Sequence, residues 1–338
     1  MNNDVKIILS RETPQNPKNL GNLAVLHVGA TAIADQSFKT LTAVEIADLP
    51  ADVFKVAQGF FTQEEHAPNL HVFGATTAGL VAKLEAIFPL EWEFITVVGT
   101  DAEFATVSNF LEAKNSKIAV KAVDAGPANA AALATSLNTA PFRNNAHTIV
   151  FAIGDSETAF AAGALIGALG NKKAGSINWK FKSVGGVAVT TASYPQVEAL
   201  HELGVIAYVE KSSGKKQTSK GTTLSGERVQ DIHFDDWVKA TMESAIQNIL
   251  ETNDLVPYDA SGIGLIESQV SITLSQGTEN GGILRDSDSG QGMYSVTVIP
   301  RTAQAPADVA AGIYGGISFE YTRAGAVDSV TVRGKGAY

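Results

Sequence analysis

From residue 70 to residue 209 the chain alternates short apolar runs with stretches whose apolar residues recur at helical spacing. The runs cover 70–73, 93–98, 117–123, 148–153, 177–181 and 205–209, and each is short enough to be a strand. Helical patterns fill most of the gaps, at 102–113, 128–137, 158–169 and 196–203. A strand-like run at 23–28 and a helical stretch at 51–61 precede this series. Strands that read as continuous apolar runs, rather than as alternating ones, are buried on both faces. The pattern therefore predicts a mainly parallel α/β sheet covered by helices on both sides.

The rhythm changes after a Ser-, Gly- and Thr-rich stretch at 211–226. Phe234, Asp235 and Asp236 read as a helix start, and Trp237, Ala240, Thr241, Ala245 and Ile249 follow at helical spacing, predicting a helix over 236–252. A second helix is expected at 260–275. The runs 294–299, 316–321 and 327–332 then alternate at period two, as antiparallel strands with one solvated face do. At the other end, a short strand-like run at 5–9 leads through Pro14 and Pro17, residues that fix φ and hold their predecessors extended. The expected organisation is α/β: an N-terminal extended arm (1–22), an alternating, mainly parallel α/β domain (23–225), a C-terminal α+β domain with antiparallel strands (226–322) and a C-terminal arm (323–338).

Composition narrows the function. At 338 residues the chain exceeds the usual single core, and 45% hydrophobic residues suffice for two. It has no cysteine, which excludes disulfides, thiolate metal sites and a thiol nucleophile. A net charge of −10 opposes non-specific binding to nucleic acid or anionic lipid. The cluster Lys211, Lys215, Lys216 and Lys220 lacks aromatic neighbours and reads as a solvated loop. No apolar run approaches the roughly 20 residues that span a bilayer, and the N-terminus lacks a signal-peptide core. A soluble protein made in a cytoplasm is expected, without membrane insertion or direct nucleic-acid binding.

The candidate chemical motifs all fall short. Gly154, Asp155 and Ser156 sit between a strand and a helix like a hydrolase nucleophile block, but no late Asp-x-x-His supplies a base, so a helix cap is expected. Asp286 and Asp288 open an apparent calcium loop that fails at Gly290, Gln291 and Thr297, leaving a turn. Gly163, Gly167 and Gly170 suggest close helix packing, and Gly262 with Gly264 suggests a turn. Neither set is a phosphate loop. His66 and His71 are loop-like, and His27, His147, His201 and His233 are scattered without ligand spacing. Asp231, Asp235 and Asp236 are placed to cap a helix and meet its dipole rather than to form an acid pair. No catalytic, cofactor-binding or metal-ligating residue, and no cofactor, is therefore assigned.

Several segments nevertheless recur in a familiar order. These are Asn253 to Tyr258 (Asn-Asp-Leu-Val-Pro-Tyr), residues 308–317 and Gly325 to Arg333 (Gly-Ala-Val-Asp-Ser-Val-Thr-Val-Arg). Near the N-terminus come residues 11–17, Leu20-Gly-Asn-Leu-Ala-Val-Leu, and a helix ending in Phe60 and Phe61 before the strand at 70–74. Together they resemble the contractile tail sheath proteins of phages and related injection systems, well at both ends and weakly between about 75 and 225.

That resemblance implies a structural subunit and not an enzyme. It implies a helical homopolymer around a tail tube protein, in contact with baseplate and tail terminator proteins, that contracts to drive the tube through a target envelope. The expected location is the virion tail, after assembly in the host bacterial cytoplasm. It also implies that both arms add strands to neighbouring subunits, the intersubunit contacts falling at Val5, Ile7, Leu9, Val330 and Val332. The receiving sheet would include 294–299 and 316–321. Gly312 and Asp328 depart from the Arg and His that relatives often carry, and the chain is short for the family. A non-contractile tail component, or a soluble α/β ligand-binding protein or enzyme with a site at the strand ends, remain the alternatives.

Overall fold

The computed structural model describes residues 20–331. Eight strands form one sheet: β1 (Leu23–Gly29), β2 (Gln36–Phe38), β3 (Leu70–Thr76), β4 (Phe94–Val98), β5 (Ile118–Asp124), β6 (Thr148–Ile153), β7 (Ile206–Glu210) and β8 (Lys216–Thr218). Their order is β2-β3-β1-β4-β5-β6-β7-β8. The six inner strands run parallel, and the two edges, β2 and β8, are antiparallel to their neighbours. All six residues of β6 are buried, as the unbroken apolar run at 148–153 requires.

Two apolar layers separate by strand alternation. Leu23, Val25, Ile118, Val120, Ile149 and Phe151 face one side, where α2 (Ala51–Phe61) and α6 (Thr158–Leu169) pack. Ala24, Leu26, Ile95, Ala119 and Val150 face the other. There α3 (Leu80–Ile87), α4 (Asp101–Lys114), α5 (Ala130–Asn138) and α7 (Tyr194–Glu202) close the core, while α1 (Leu41–Ile46) packs beside α2. The glycine spacing on α6 has the expected cause. A Cβ on Gly163 would stand 1.9 Å from the Val56 carbonyl oxygen, and one on Gly167 would stand 2.4 Å from that of Phe60. The two helices therefore meet backbone to backbone.

Two sequence expectations fail in this body. Residues 177–181 form no strand, because Phe181 takes φ +67° and turns the chain. The loop is tied to the single residue Thr218, whose hydroxyl donates to the Trp179 carbonyl and accepts from the Lys182 N–H, while its backbone carbonyl accepts from the Phe181 N–H and its N–H donates to the Lys182 carbonyl. The lysine-rich stretch is not wholly a loop either. Lys216 begins edge strand β8, and Lys220 Nζ donates to the carbonyl of His201.

Beyond the sheet lies a helical hairpin of α8 (Val229–Thr252) and α9 (Ala260–Asn280), followed by β9 (Tyr294–Val298), α10 (Pro306–Ala311) and β10 (Ile317–Tyr321). Helix α8 starts well before residue 236. Asp235 and Asp236 do not cap it, because their carboxylates are held by Tyr321, Arg323 and the Lys117 N–H. Asp231 does lie in its first turn. Asp259 caps α9, accepting from the N–H groups of Ser261 and Gly262. Gly262 and Gly264 thus belong to a helix and not to a turn. Strands β9 and β10 pair antiparallel, with Phe319 opposite Val296.

Among the described residues, 327–331 form no strand and have no ladder partner.

Candidate assembly site

The β9/β10 ribbon is amphipathic in register. Tyr294, Val296 and Val298 on β9 face the same way as Ile317, Phe319 and Tyr321 on β10, whereas Ser295, Thr297, Ser318 and Glu320 are exposed. The apolar face lies on the helical hairpin around Phe234, Trp237, Val270 and Leu274. Strand β9 packs over α9, but the ribbon is too narrow to cover α8. A groove of about 760 Å³ results, bounded by Met242, Ile246 and Leu250 of α8, Ile263 and Ile266 of α9, and Phe319 of β10. Among the described residues β10 pairs only with β9, and its Ile317, Phe319 and Tyr321 line this groove. An open edge beside an apolar trough is the geometry that accepts an added strand.

Both ends of the groove are pinned. Tyr258 donates from its hydroxyl to the Ile313 carbonyl at 3.0 Å, stacks edge-on against Tyr314, and receives Arg301 on its carbonyl oxygen at 2.9 Å. The Asn253 to Tyr258 motif therefore ties the helical hairpin to the loop that carries β10. At the other end Tyr321 donates to Asp235, which also pairs with Arg323. Burial and the adjacent carboxylate push the Tyr321 hydroxyl well above its ordinary range, so it stays a donor at any physiological pH.

Of the arm residues named from sequence, Val5, Ile7, Leu9 and Val332 lie outside the described residues. Val330 is 76% exposed. The chain just before it is held against the body: Asp328 pairs with Arg228 at 3.1 Å and accepts from Asn178 at 2.8 Å, and its carbonyl receives Lys180 Nζ.

The chemical candidates resolve as follows. The expected Asp/Ser cap does not form: Glu157 is the N-cap of α6 without a side-chain cap bond, and Asp155 accepts from the Glu157 N–H in the turn before it. Asp286 accepts from the N–H groups of Asp288 and Ser289 in a hairpin turn closed by Arg285 and Gly292. His66, His71, His147, His201 and His233 each have a hydrogen-bond partner. Among the described residues no group of three His, Cys, Asp or Glu side chains is placed to hold a metal, and no helix is long and apolar enough to cross a membrane.

Two constellations escaped the sequence reading. Ser219 Oγ lies 2.7 Å from His201 Nε2, and His201 Nδ1 lies 3.0 Å from Glu198, in the order of a hydrolytic triad. The spacing of Glu198 and His201 on one helix face was the available signal. Ser219 is nonetheless only 6% exposed and is also fixed by the Ala207 N–H at 3.1 Å, so it closes the sheet edge rather than facing a substrate. The second is a buried acid pair. Asp236 meets Glu93, a residue far from it in sequence, so that a dyad does form, though not among the three aspartates that suggested one.

No family model and no curated protein matches the chain. Solved structures do. A chain of the PVC sheath complex, an extracellular contractile injection system in its contracted state, superposes with TM-score 0.66 at 12% identity, covering 99% of this chain and 98% of that one. The chain has the fold of contractile-sheath proteins. A chain of the anti-feeding prophage baseplate shares this sheath fold over 99% of the present chain and 100% of its own, with TM-score 0.68 and 11% identity. The sheath tail protein of Listeria innocua gives 0.57 at 11% identity, covering 90% and 95%.

Proposed function

We propose that the protein is the structural subunit of a contractile tail sheath, polymerising helically around a tail tube and contracting to drive the tube through a target cell envelope. The observation that carries this reading is the unpaired edge of β10 above an apolar groove, in a fold shared with the sheath of a contractile injection system. Strand β10 is five residues long, about 17 Å at the usual rise per residue. The run from Val5 to Leu9 also has five residues, with Val5, Ile7 and Leu9 apolar on one face. An arm of one subunit laid along β10 of another would put three apolar side chains into the groove and complete a backbone ladder, and the C-terminal segment with Val330 and Val332 would add a further strand. The division into arms at 1–22 and 323–338, a body at 23–225 and an assembly unit at 226–322 belongs to this proposal.

An interface between two different surfaces, repeated without closure, generates a helical filament. Contraction would be rigid-body rotation of subunits about their arms, released from a metastable extended state without nucleotide chemistry. Partners would be further copies, the tube protein, and the baseplate and terminator proteins at the two ends. The location would be the virion tail, filled from the cytoplasm of the bacterial host.

Deleting residues 1–15 tests the reading. A folded monomer by circular dichroism that no longer forms tubes in electron micrographs is expected. Unfolding of the truncated protein, or tubes formed without the arm, would overturn it. A full-length protein that stays a small oligomer with a bound metabolite would support a ligand-binding protein instead.

A further inference from the structure

We propose that the Glu93 and Asp236 carboxyl pair is a proton-dependent clasp that joins the α/β sheet to helix α8 at the root of the N-terminal segment. Glu93 immediately precedes β4 and is fixed at the foot of the sheet: its N–H donates to Asn22 at 3.1 Å and its carbonyl accepts from Ile118 at 2.9 Å. Asp236 comes from the second turn of α8, and its Oδ2 accepts the Lys117 N–H at 3.2 Å. Lys117 takes φ +65° there, a left-handed geometry that an unbranched non-glycine residue adopts at a cost. Glu93 is 2% exposed and Asp236 8%, and the two line one cleft, close enough for the Asp236 carboxylate to act on Glu93.

Two carboxyl groups can share a hydrogen bond only if one supplies the proton, because an ionised carboxylate has acceptors alone. Burial first, and then the Asp236 charge, hold the Glu93 proton well above the ordinary carboxylate range. The other charged groups facing the pair are Lys117 and Lys239, which favour its ionised form, with Glu91 and Glu243 along the same cleft of about 360 Å³. Lys117 Nζ is occupied by the Leu90 carbonyl and by the face of Trp92. Glu93 Oε1 has no hydrogen-bond partner, so an ionised Glu93 would depend on the charges of the two lysines without a direct donor.

His233, one turn earlier on α8, completes the joint. It donates from Nε2 to the carbonyl of Leu20 at 3.0 Å, where the N-terminal segment enters, and its ring packs edge-on against Phe94. Burial holds it neutral. The two groups act with opposite sign. Folded Glu93 keeps a proton that the unfolded chain releases above about pH 4.3, so its contribution falls as pH rises. His233 disfavours a proton that the unfolded chain takes up below about pH 6.5, so its contribution falls as pH drops. Clasp strength therefore has a maximum, and alkali loosens it through Glu93.

The test is melting temperature against pH from 5 to 9 for the full chain and for Glu93→Gln, which keeps a donor toward Asp236 without a charge. Because His233 is common to both proteins, the difference between the curves isolates Glu93. The expected result is a difference that grows with pH, the variant being the more stable at pH 8. A difference that stays constant across the range would overturn the proposal. Should Glu93→Gln not fold, Asp236→Asn takes its place with the same two outcomes. A local readout separates the clasp from a global effect. Between pH 6 and pH 8.5, amide protection at residues 20–23 and 229–240, corrected for intrinsic exchange, should fall in wild type by roughly tenfold, the equivalent of one pKa unit. An equal fall at β6 would refute a local clasp.

Discussion

Replacing Val330 with proline separates assembly from folding. Val330 is 76% exposed and belongs to no strand among the described residues, so the ring breaks no ladder there and empties no core site. A surface change of this kind moves stability by less than about 0.5 kcal/mol, which for a chain of this size is about 1 to 2 °C in melting temperature. In an intersubunit ladder the same ring removes a donor and disturbs strand geometry, at a cost of about 3 kcal/mol. That is about a hundredfold in each contact, and every subunit carries the change. Sedimentation velocity over a concentration series, with electron microscopy of the same samples, should show wild-type tubes, Val330→Thr tubes and Val330→Pro monomers of unchanged melting point. Tubes of Val330→Pro at the wild-type onset concentration would refute pairing at this position, and a melting point lowered by many degrees would place Val330 in an internal strand.

Phe319→Asp puts a charge on the groove face of β10 while leaving the monomer intact, so tube formation should fail in the same sedimentation assay with the circular dichroism spectrum unaltered. Gly163→Ala should destabilise by about 1 to 3 kcal/mol in urea titration, because its Cβ meets the Val56 carbonyl. Gly264→Ala, whose Cβ meets nothing within 4 Å, should stabilise α9 by about 0.5 to 1 kcal/mol in the same titration. Asp328→Ala removes a half-exposed ion pair and should cost less than about 1 kcal/mol, yet limited proteolysis should cut residues 324–331 faster than in wild type.

The parallel body was legible because its signals are local. Strand β6 and helices α2 and α6 begin and end where the apolar periodicity does. The edges were not. Gln36, Ser37, Lys216 and Gln217 give β2 and β8 no apolar signature, since an edge strand of three residues is held by backbone pairing. Helix α3 carried a readable signal in Leu80, Leu84 and Ile87 that went unused. The α8 start was misplaced because Asp235 and Asp236 look like caps, and their true partners, Arg323 and Lys117, come from distant segments. The same distance hid the Glu93 and Asp236 pair. The groove was half legible: alternation marked β9 and β10, but nothing in the sequence says that two strands are too few to roof α8.

The hold on Asp328 fixes where mechanical load would enter the subunit. Tension on residues beyond 331 reaches Asp328 before it reaches β10, and there it divides between Arg228 at the foot of α8 and the Asn178 and Lys180 loop of the body. The β9/β10 ribbon lies off that line of force. If the chain is loaded through its C-terminal segment, as the proposed assembly requires, the strain would pass into the helix-backed sheet, and the β9/β10 ribbon would be spared it.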